Sequence, residues 1–347
     1  MTSLFYNLSI QFVPLSLNKM KKNVALIAGG FTGESVVSFN SAQQVKSQLD
    51  TNLYNVYKII ITKNEWYYLT EKEEKIAIDK NDFSLIIDEN RIKFDVAFII
   101  IHGSPGEDGK LQSYFDLVNI PYTTCDATTS ALTMNKGYTK AVVNDIKGLN
   151  VAKSIQLFKN TPTTENEIKS QLKLPLFIKP NNGGSSIGMS KVNNWIDLSD
   201  ALNKAFAEDS QILIEEFIKG REFTVGIFKS KNEIKVLPIT EVKSSKEFFD
   251  FEAKYTTGLT EEITPADLSQ EIISKVAEIV TSVYHKLNCK GVVRIDFILL
   301  EENQDFYFIE INTVPGQSQN SIIPQQVKVA GMQMSDFYAM LIDEALV

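Results

Sequence analysis

Two short runs made almost wholly of apolar residues limit what this chain can fold into. VALIA at 24–28 runs into Gly29-Gly30, and DVAFIII at 95–101 stops at His102-Gly103. A strand with one face in water alternates, whereas a run apolar at successive positions needs cover on both faces, as in a parallel sheet flanked by helices. The polar stretch from about Glu34 predicts the first covering helix. An α/β domain built on a parallel sheet is therefore expected over 21–124.

Beyond it, LPLFIKP at 174–180 reads as a strand carrying one lysine, Lys179, followed by the Gly/Ser loop NNGGSSIG at 181–188. ILIEEF at 212–217 and FTVGIF at 223–228 read as further strands. Ile272, Ile273, Val276, Ile279, Val280, Val283 and Leu287 recur at helical spacing and form a core face. Thr264-Pro265-Ala266-Asp267 predicts that helix's N-terminal cap, with proline at its first position. Between them, 243–264 is a charged connection dotted with aromatics, long enough to suggest a functional loop. The expected division is 21–124, 125–215 and 216–347, with 1–20 an extension outside the fold. That leading segment lacks a basic start and is interrupted by Asn7, Ser9, Gln11 and Pro14, so it matches a signal peptide poorly.

Composition excludes more than it assigns. A formal charge of −8 over 347 residues disfavours non-specific nucleic-acid binding, which depends on a basic surface. With only Cys125 and Cys289, and His102 and His285 as the two histidines, neither a disulfide framework nor a Cys/His zinc site is expected; a reducing cytoplasm fits. No run approaches the ~18 apolar residues of a membrane span.

The chemistry gathers near the C-terminus. VVRIDFILL at 292–300 and DFYFIEIN at 305–312 predict a hairpin. Centred on Asn303, it sets Asp296 opposite Glu310 and Arg294 opposite Asn312. Opposed carboxylates destabilise a sheet unless a cation lies between them, and oxygen ligands of this kind suit Mg²⁺. A solvated strand end remains the alternative, and an even-numbered turn would slip the register. The 181–188 loop offers backbone N–H groups to an anion, although it matches neither GxxxxGK[ST] nor GxGxxG. Lys179 beside it needs a partner, either phosphate or a structural carboxylate. His102 ends its strand where ligands collect in open α/β sheets, or else simply caps the junction.

Taken in order, these residues resemble the D-alanine–D-alanine ligases of the ATP-grasp superfamily, from about Asn23 to the C-terminus. The likeness rests on Gly29-Gly30 with Glu34 and Ser38, His102-Gly103 with GEDG at 106–109, Pro121-Tyr122, Ser130-Ala131 and Lys136. It continues through Lys179-Pro180 with GSSIG at 184–188, Glu215, Glu222, EAKY at 252–255, Arg294-Ile-Asp296, EINTVPG at 310–316 and SIIP at 321–324. The resemblance implies an ATP-grasp fold: a Rossmann-like parallel-sheet domain followed by two α+β domains enclosing the nucleotide. It implies that ATP phosphorylates one D-alanine and that the amine of a second displaces phosphate, forming the dipeptide for peptidoglycan. Two Mg²⁺ ions, with Mn²⁺ as a substitute, would be held by Asp296, Glu310 and Asn312. ATP would meet Lys136, Lys179, Ser185, Ser186, Glu215, Phe217, Ile218, Glu222 and Lys254. Glu34, Ser185 and Tyr255 would orient the first D-alanine, Arg294 and Gly316 stabilise the oxyanion, and His102, Ser321 and Ile322 serve the substrates. The 243–264 loop would be a lid, and a cytoplasmic homodimer is expected.

Three positions depart from the family pattern: Ser35 in place of histidine, Gly183 in place of an acidic residue, and Gln317 in place of methionine. Rival readings are a D-alanine–D-lactate ligase, where phenylalanine goes with the position of Tyr255, another ATP-grasp carboxylate–amine ligase, or a non-catalytic ATP-binding module.

Overall fold

The computed structural model describes residues 20–161, 163–184, 187–244 and 260–347. Its first sheet uses β1 (Lys22–Gly29), β2 (Tyr54–Ile61), β3 (Trp66–Leu69), β4 (Lys75–Asp79), β5 (Ser84–Ile87), β6 (Asn90–Ile92) and β7 (Val96–Ile99). They lie in the order β6-β5-β4-β3-β2-β1-β7. Both apolar runs become neighbouring parallel strands, β1 and β7, and β1 also pairs in parallel with β2. The expectation of a parallel sheet holds only for these three. From β2 to β6 the pairing is antiparallel, because the connections are too short for a crossover. At the tightest of them Asp88 and Glu89 adopt φ of 47° and 66°, the left-handed pair of a two-residue hairpin.

Helix α1 (Ser35–Gln48) covers one face of this sheet. Helices α2 (Lys110–Leu117), α3 (Ala127–Met134) and α4 (Lys136–Val143) follow β7. Strand β8 (Leu149–Val151) then joins the third sheet, parallel to its far strand. The second sheet, in the order β11-β10-β12-β9, comprises β9 (Ser154–Phe158), β10 (Leu176–Pro180), β11 (Ser190–Val192) and β12 (Gln211–Glu216). Helices α5 (Glu165–Gln171) and α6 (Leu198–Glu208) pack against it, Ile168, Leu198 and Ala205 meeting Ile178 and Ile214 in one core.

The third sheet is built from β13 (Arg221–Ser230), β14 (Glu233–Val236), β15 (Thr240–Ser244), β16 (Thr260–Ile263), β17 (Val292–Leu300) and β18 (Asp305–Asn312), with β8 at its edge. Helix α7 (Gln270–Lys286) lays Val276, Ile279, Val280 and Val283 on it, as the spacing predicted. Its cap is Ser269, whose hydroxyl accepts the Ile272 N–H at 3.3 Å, and not Thr264-Pro265. That earlier segment is bound to the sheet instead: Ala266 N–H donates to Ile239 O, and the Thr264 hydroxyl lies 2.7 Å from that of Thr240. Helices α8 (Ile322–Val329) and α9 (Met334–Ala345) close the chain, and α9 returns to pack Phe337, Tyr338, Leu341 and Ile342 against the first sheet.

The β17–β18 hairpin turns on four residues, 301–304, with Leu300 paired to Asp305. This is the even-numbered turn that slips the register. Phe297 accordingly faces Phe308, and an unbroken ladder would carry Asp296 to Ile309 and Arg294 to Ile311. A β-bulge between Asp296 and Phe297 takes up one extra residue of β18, so Asp296 faces Glu310 and Arg294 faces Asn312. The pairing at the site is as expected; the turn that was to produce it is not.

On α9, Tyr338 is fully buried with its ring 5.7 Å from Phe98, and its hydroxyl has no hydrogen-bond partner among the described residues. Such a hydroxyl costs about 1–3 kcal/mol. Tyr338→Phe is expected to leave unfolding free energy unchanged or raise it by about 1 kcal/mol in urea titrations. A loss of more than about 1 kcal/mol would show that the hydroxyl has a stabilising role.

Candidate active site

Because strand side chains alternate, Arg294 and Asp296 of β17 share a face with Glu310 and Asn312 of β18. Thr224 of β13 stands opposite Asp296 from the other side, and its hydroxyl donates to Asp296 Oδ1. Arg294 grips Asp296 with two hydrogen bonds, Nε to Oδ1 at 2.9 Å and a terminal nitrogen to Oδ2 at 2.7 Å. Burial alone would weaken the guanidinium's hold on its proton, but Asp296, with Glu310 and Glu107 beyond it, raises the pKa instead. Glu310 in turn lies 3.2 Å from Lys136 Nζ. Each of the two opposed carboxylates thus has its own cation, which removes the repulsion expected of the bare pair.

Lys136 is the first residue of α4, whose cap Asn135 accepts the Tyr138 N–H at 3.0 Å. Its ammonium also donates to the carbonyl of Gly183 and so ties the second sheet's Gly-rich loop to β18. A cavity opens here, lined by Glu34, Gly103, Glu107, Thr133, Met134, Lys136, Gly183, Gly184 and residues 310–313. Glu34, the cap residue of α1, reaches it between two glycines. A Cβ on Gly103 would stand 2.9 Å from Glu34 Oε2, and one on Gly184 3.0 Å from Oε1. Gly103 also needs its φ of 67°, so both backbone shape and space demand glycine there.

Lys179 projects from β10 to Glu215 of β12, Nζ to Oε1 at 2.6 Å, and Lys140 of α4 takes Oε2 at 2.7 Å. Burial would raise the Glu215 pKa, yet the two lysines outweigh it and hold the carboxyl below its usual range. Just past Glu215, the Phe217 N–H donates to Pro175 O, and Lys191 lies 4.1 Å above the Phe217 ring. Ile218 follows it, partly buried, and Glu222 sits on β13 opposite Ile298.

The loop after β18 is anchored on the first sheet. His102 is buried; its Nδ1 donates to Val314 O at 2.7 Å and its Nε2 lies 3.4 Å from the Ser41 hydroxyl. Burial lowers its pKa and favours the neutral ring. Ser41 accepts the Gln317 N–H at 3.0 Å, and the Gln317 amide donates to Pro315 O at 3.3 Å. Gly316 between them faces Ser321: an added Cβ would lie 2.9 Å from the Ser321 hydroxyl oxygen. Ser321 caps α8, and Ile322 is that helix's first residue.

The structure therefore gathers Glu34, Lys136, Glu310 and Asn312 around one cavity, with Arg294 and Asp296 on the same sheet face as the last two. It sets Lys179, Glu215, Phe217 and Ile218 at the second sheet, and Gly316, Ser321 and Ile322 on the following loop. Ser185, Ser186, Lys254 and Tyr255 lie outside the described residues, as does most of 243–264. Thr224, Lys140 and Ser41 escaped sequence reasoning, and Glu107 lay within the GEDG motif with no role assigned. Of the three that escaped, Lys140 carried a usable signal, being one helical turn from Lys136. The oxygens of Asp296, Glu310 and Asn312 form a hard donor set that fits Mg²⁺. Among the described residues no cluster of three or more His, Cys, Asp or Glu is present, so phosphate and water would have to complete its shell.

Glu107 joins the two halves of the site. Its Oε2 accepts the Gly103 N–H at 2.6 Å and its Oε1 the Val314 N–H at 3.2 Å. Burial nonetheless pushes its pKa up to about 7, with Glu34 adding to the rise and the N–H bonds opposing it. Between about pH 4.5 and about 7 the unfolded chain would have this carboxyl ionised while the fold keeps it protonated, so its contribution to stability falls as pH rises through that window. Glu107→Gln removes that titration. In ligand-free protein, the mutant's stability relative to wild type is expected to rise by up to roughly 3 kcal/mol from about pH 5 to about pH 8. A pH-independent difference in denaturant titrations would count against the protonated carboxyl.

Two sequence families match the chain, D-ala D-ala ligase N-terminus over residues 23–125 and D-ala D-ala ligase C-terminus over 143–343. A D-alanine--D-alanine ligase of Flavobacterium psychrophilum is 47% identical over 90% of this chain and 94% of its own. One from Azobacteroides pseudotrichonymphae is 42% identical over 93% and 99%. Among solved structures, a D-Ala:D-Ser ligase from Enterococcus faecalis superposes with a TM-score of 0.84 at 31% identity, covering 94% of this chain and all of that one. A D-alanine--D-alanine ligase from Bacillus anthracis complexed with ATP gives 0.74 at 28% identity, covering 94% and 97%. With both halves matched in order and the ATP-grasp architecture shared, this chain belongs to the D-alanine–D-alanine ligase family.

Proposed function

We propose that this chain joins two D-alanines at the expense of ATP, through a D-alanyl phosphate, to supply peptidoglycan precursor. The observation that carries the reading is the single sheet face on which Arg294, Asp296, Glu310 and Asn312 converge beside Lys136 and across the cavity from Glu34. Such a cleft would offer one side to the nucleotide, another to the amino acid and a loop to the oxyanion.

Glu34, held between Gly103 and Gly184, would pair with the ammonium of the first D-alanine. A carboxylate oxygen of that substrate attacks the γ-phosphorus of ATP and ADP leaves. Lys136 and Lys179 would offset the charge on the phosphates, with Glu215, Phe217, Ile218 and Glu222 holding the base and ribose. Asp296, Glu310 and Asn312 would hold Mg²⁺, which would supply electrostatic stabilisation of the transferring phosphoryl group. The second D-alanine, its carboxylate at the α8 N-terminus beside Ser321 and Ile322, then attacks the acyl carbon with its amine. Arg294 and the Gly316 N–H would bind the oxyanion before phosphate departs. His102, Ser41 and Gln317 would act from behind that loop by fixing its backbone. The 243–264 connection, which includes Lys254 and Tyr255, would exclude water from the acyl phosphate, and Ser185 and Ser186 would donate from the Gly-rich loop. No helix among the described residues is long and apolar enough to cross a membrane; we place the enzyme in the cytoplasm, as a homodimer.

Phosphate release from ATP is expected to require D-alanine, to stop on chelation and to return with Mg²⁺. Release with D-lactate but not D-alanine as second substrate would favour the D-lactate ligase, and none with either would sink the ligase reading. Glu310→Gln is expected to lower turnover by about a hundredfold or more with circular dichroism unchanged; unaltered turnover would remove its role.

A further inference from the structure

Three charged side chains meet, largely buried, at the second sheet. Lys140 and Lys179 approach opposite oxygens of Glu215 at 2.7 and 2.6 Å. Both lysine side chains are only 4% exposed and that of Glu215 12%. One carboxylate cannot offset two ammonium groups, so the trio keeps a surplus positive charge away from water, an arrangement that favours an anionic visitor.

We propose that Lys140 is a nucleotide-positioning residue, which holds Glu215 so that Lys179 is free to engage phosphate. The inference rests on the assignment of Lys179 to the nucleotide. With both lysines present, Lys179 can swing toward a phosphate and leave a neutral Lys140–Glu215 pair behind. Without Lys140, the same movement strands an ionised carboxylate in a poorly hydrated place, so phosphate and Glu215 compete for one ammonium. The helix explains why one residue serves this end. Lys136 and Lys140 lie four apart on α4, and consecutive turns direct one toward Glu310 and Gly183 and the other toward Glu215. Burial lowers the Lys140 pKa and Lys179 adds to the effect, against the pull of Glu215, as expected for the cation in surplus.

Binding of the non-hydrolysable analogue AMP-PNP with Mg²⁺, measured by calorimetry without D-alanine, tests this. Lys140→Met is expected to weaken binding by about tenfold or more, the size of one hydrogen bond to a charged group, and Lys140→Arg to stay within about threefold of wild type. The double variant Lys140→Met with Glu215→Gln is expected to bind as tightly as Glu215→Gln alone, because no carboxylate then remains to hold Lys179. A double variant weaker than Glu215→Gln overturns the inference, and so does Lys140→Met binding within about threefold of wild type. If Lys140→Met does not fold, the double variant decides by itself. Lys140-dependent nucleotide binding in a protein that forms no dipeptide would overturn the ligase reading and leave this one standing; dipeptide synthesis with Lys140-independent binding would do the reverse.

Discussion

The contact on which the site depends is the bulged pairing of β17 with β18. Sheet geometry permits only alternate residues on one face, and a four-residue turn would have directed Ile309 and Ile311 toward Asp296 and Arg294. One extra residue in β18 converts that apolar register into Glu310 and Asn312. The bulge sits between a packed region, where Phe297 meets Phe306 and Phe223 in the core, and the polar strand ends beyond it. The core thus keeps its own register while the site takes another, which is the use bulges have beside functional residues.

Opposite charges meet at three places in the cleft, and at one of them two lysines share a single carboxylate. Lys136 with Glu310, and Lys140 and Lys179 with Glu215, join different strands or a helix to a strand, whereas Arg294 and Asp296 pair within β17. The contacts of Lys136 and Lys140 tie α4 to β18 and to the second sheet. Buried pairs of this kind contribute little net stability compared with apolar packing. The apolar cores beneath the sheets supply the stability instead.

The loop carrying Gly316 shows how distant segments set one backbone group. Its position is determined by Ser41 from α1, His102 from the end of the first sheet and Glu107 from the loop beyond, through Gln317 and Val314. At Gln317, where the family has methionine, the buried amide is half satisfied: its nitrogen donates to Pro315 within its own loop, while its oxygen has no hydrogen-bond partner among the described residues. These links tie the first sheet, which carries no proposed phosphate or metal ligand, to the loop proposed to hold the oxyanion.

Much was legible in sequence because it is local. Apolar runs identified β1 and β7, helical spacing identified the buried face of α7, and the ordered motifs identified the family and most candidate residues. Alternation within strands even placed Arg294, Asp296, Glu310 and Asn312 on shared faces. The Ser269 cap and the antiparallel hairpins of the first sheet are local features not singled out in the sequence, whereas the bulge and the meeting of Lys140 with Glu215, 75 residues away, are long-range. Periodicity and residue chemistry act within a few neighbours, so the chain itself determined which groups are available and which way each local element faces. Register, burial and the sharing of one carboxylate between two lysines depend on how separate elements pack, and only the tertiary structure decided them.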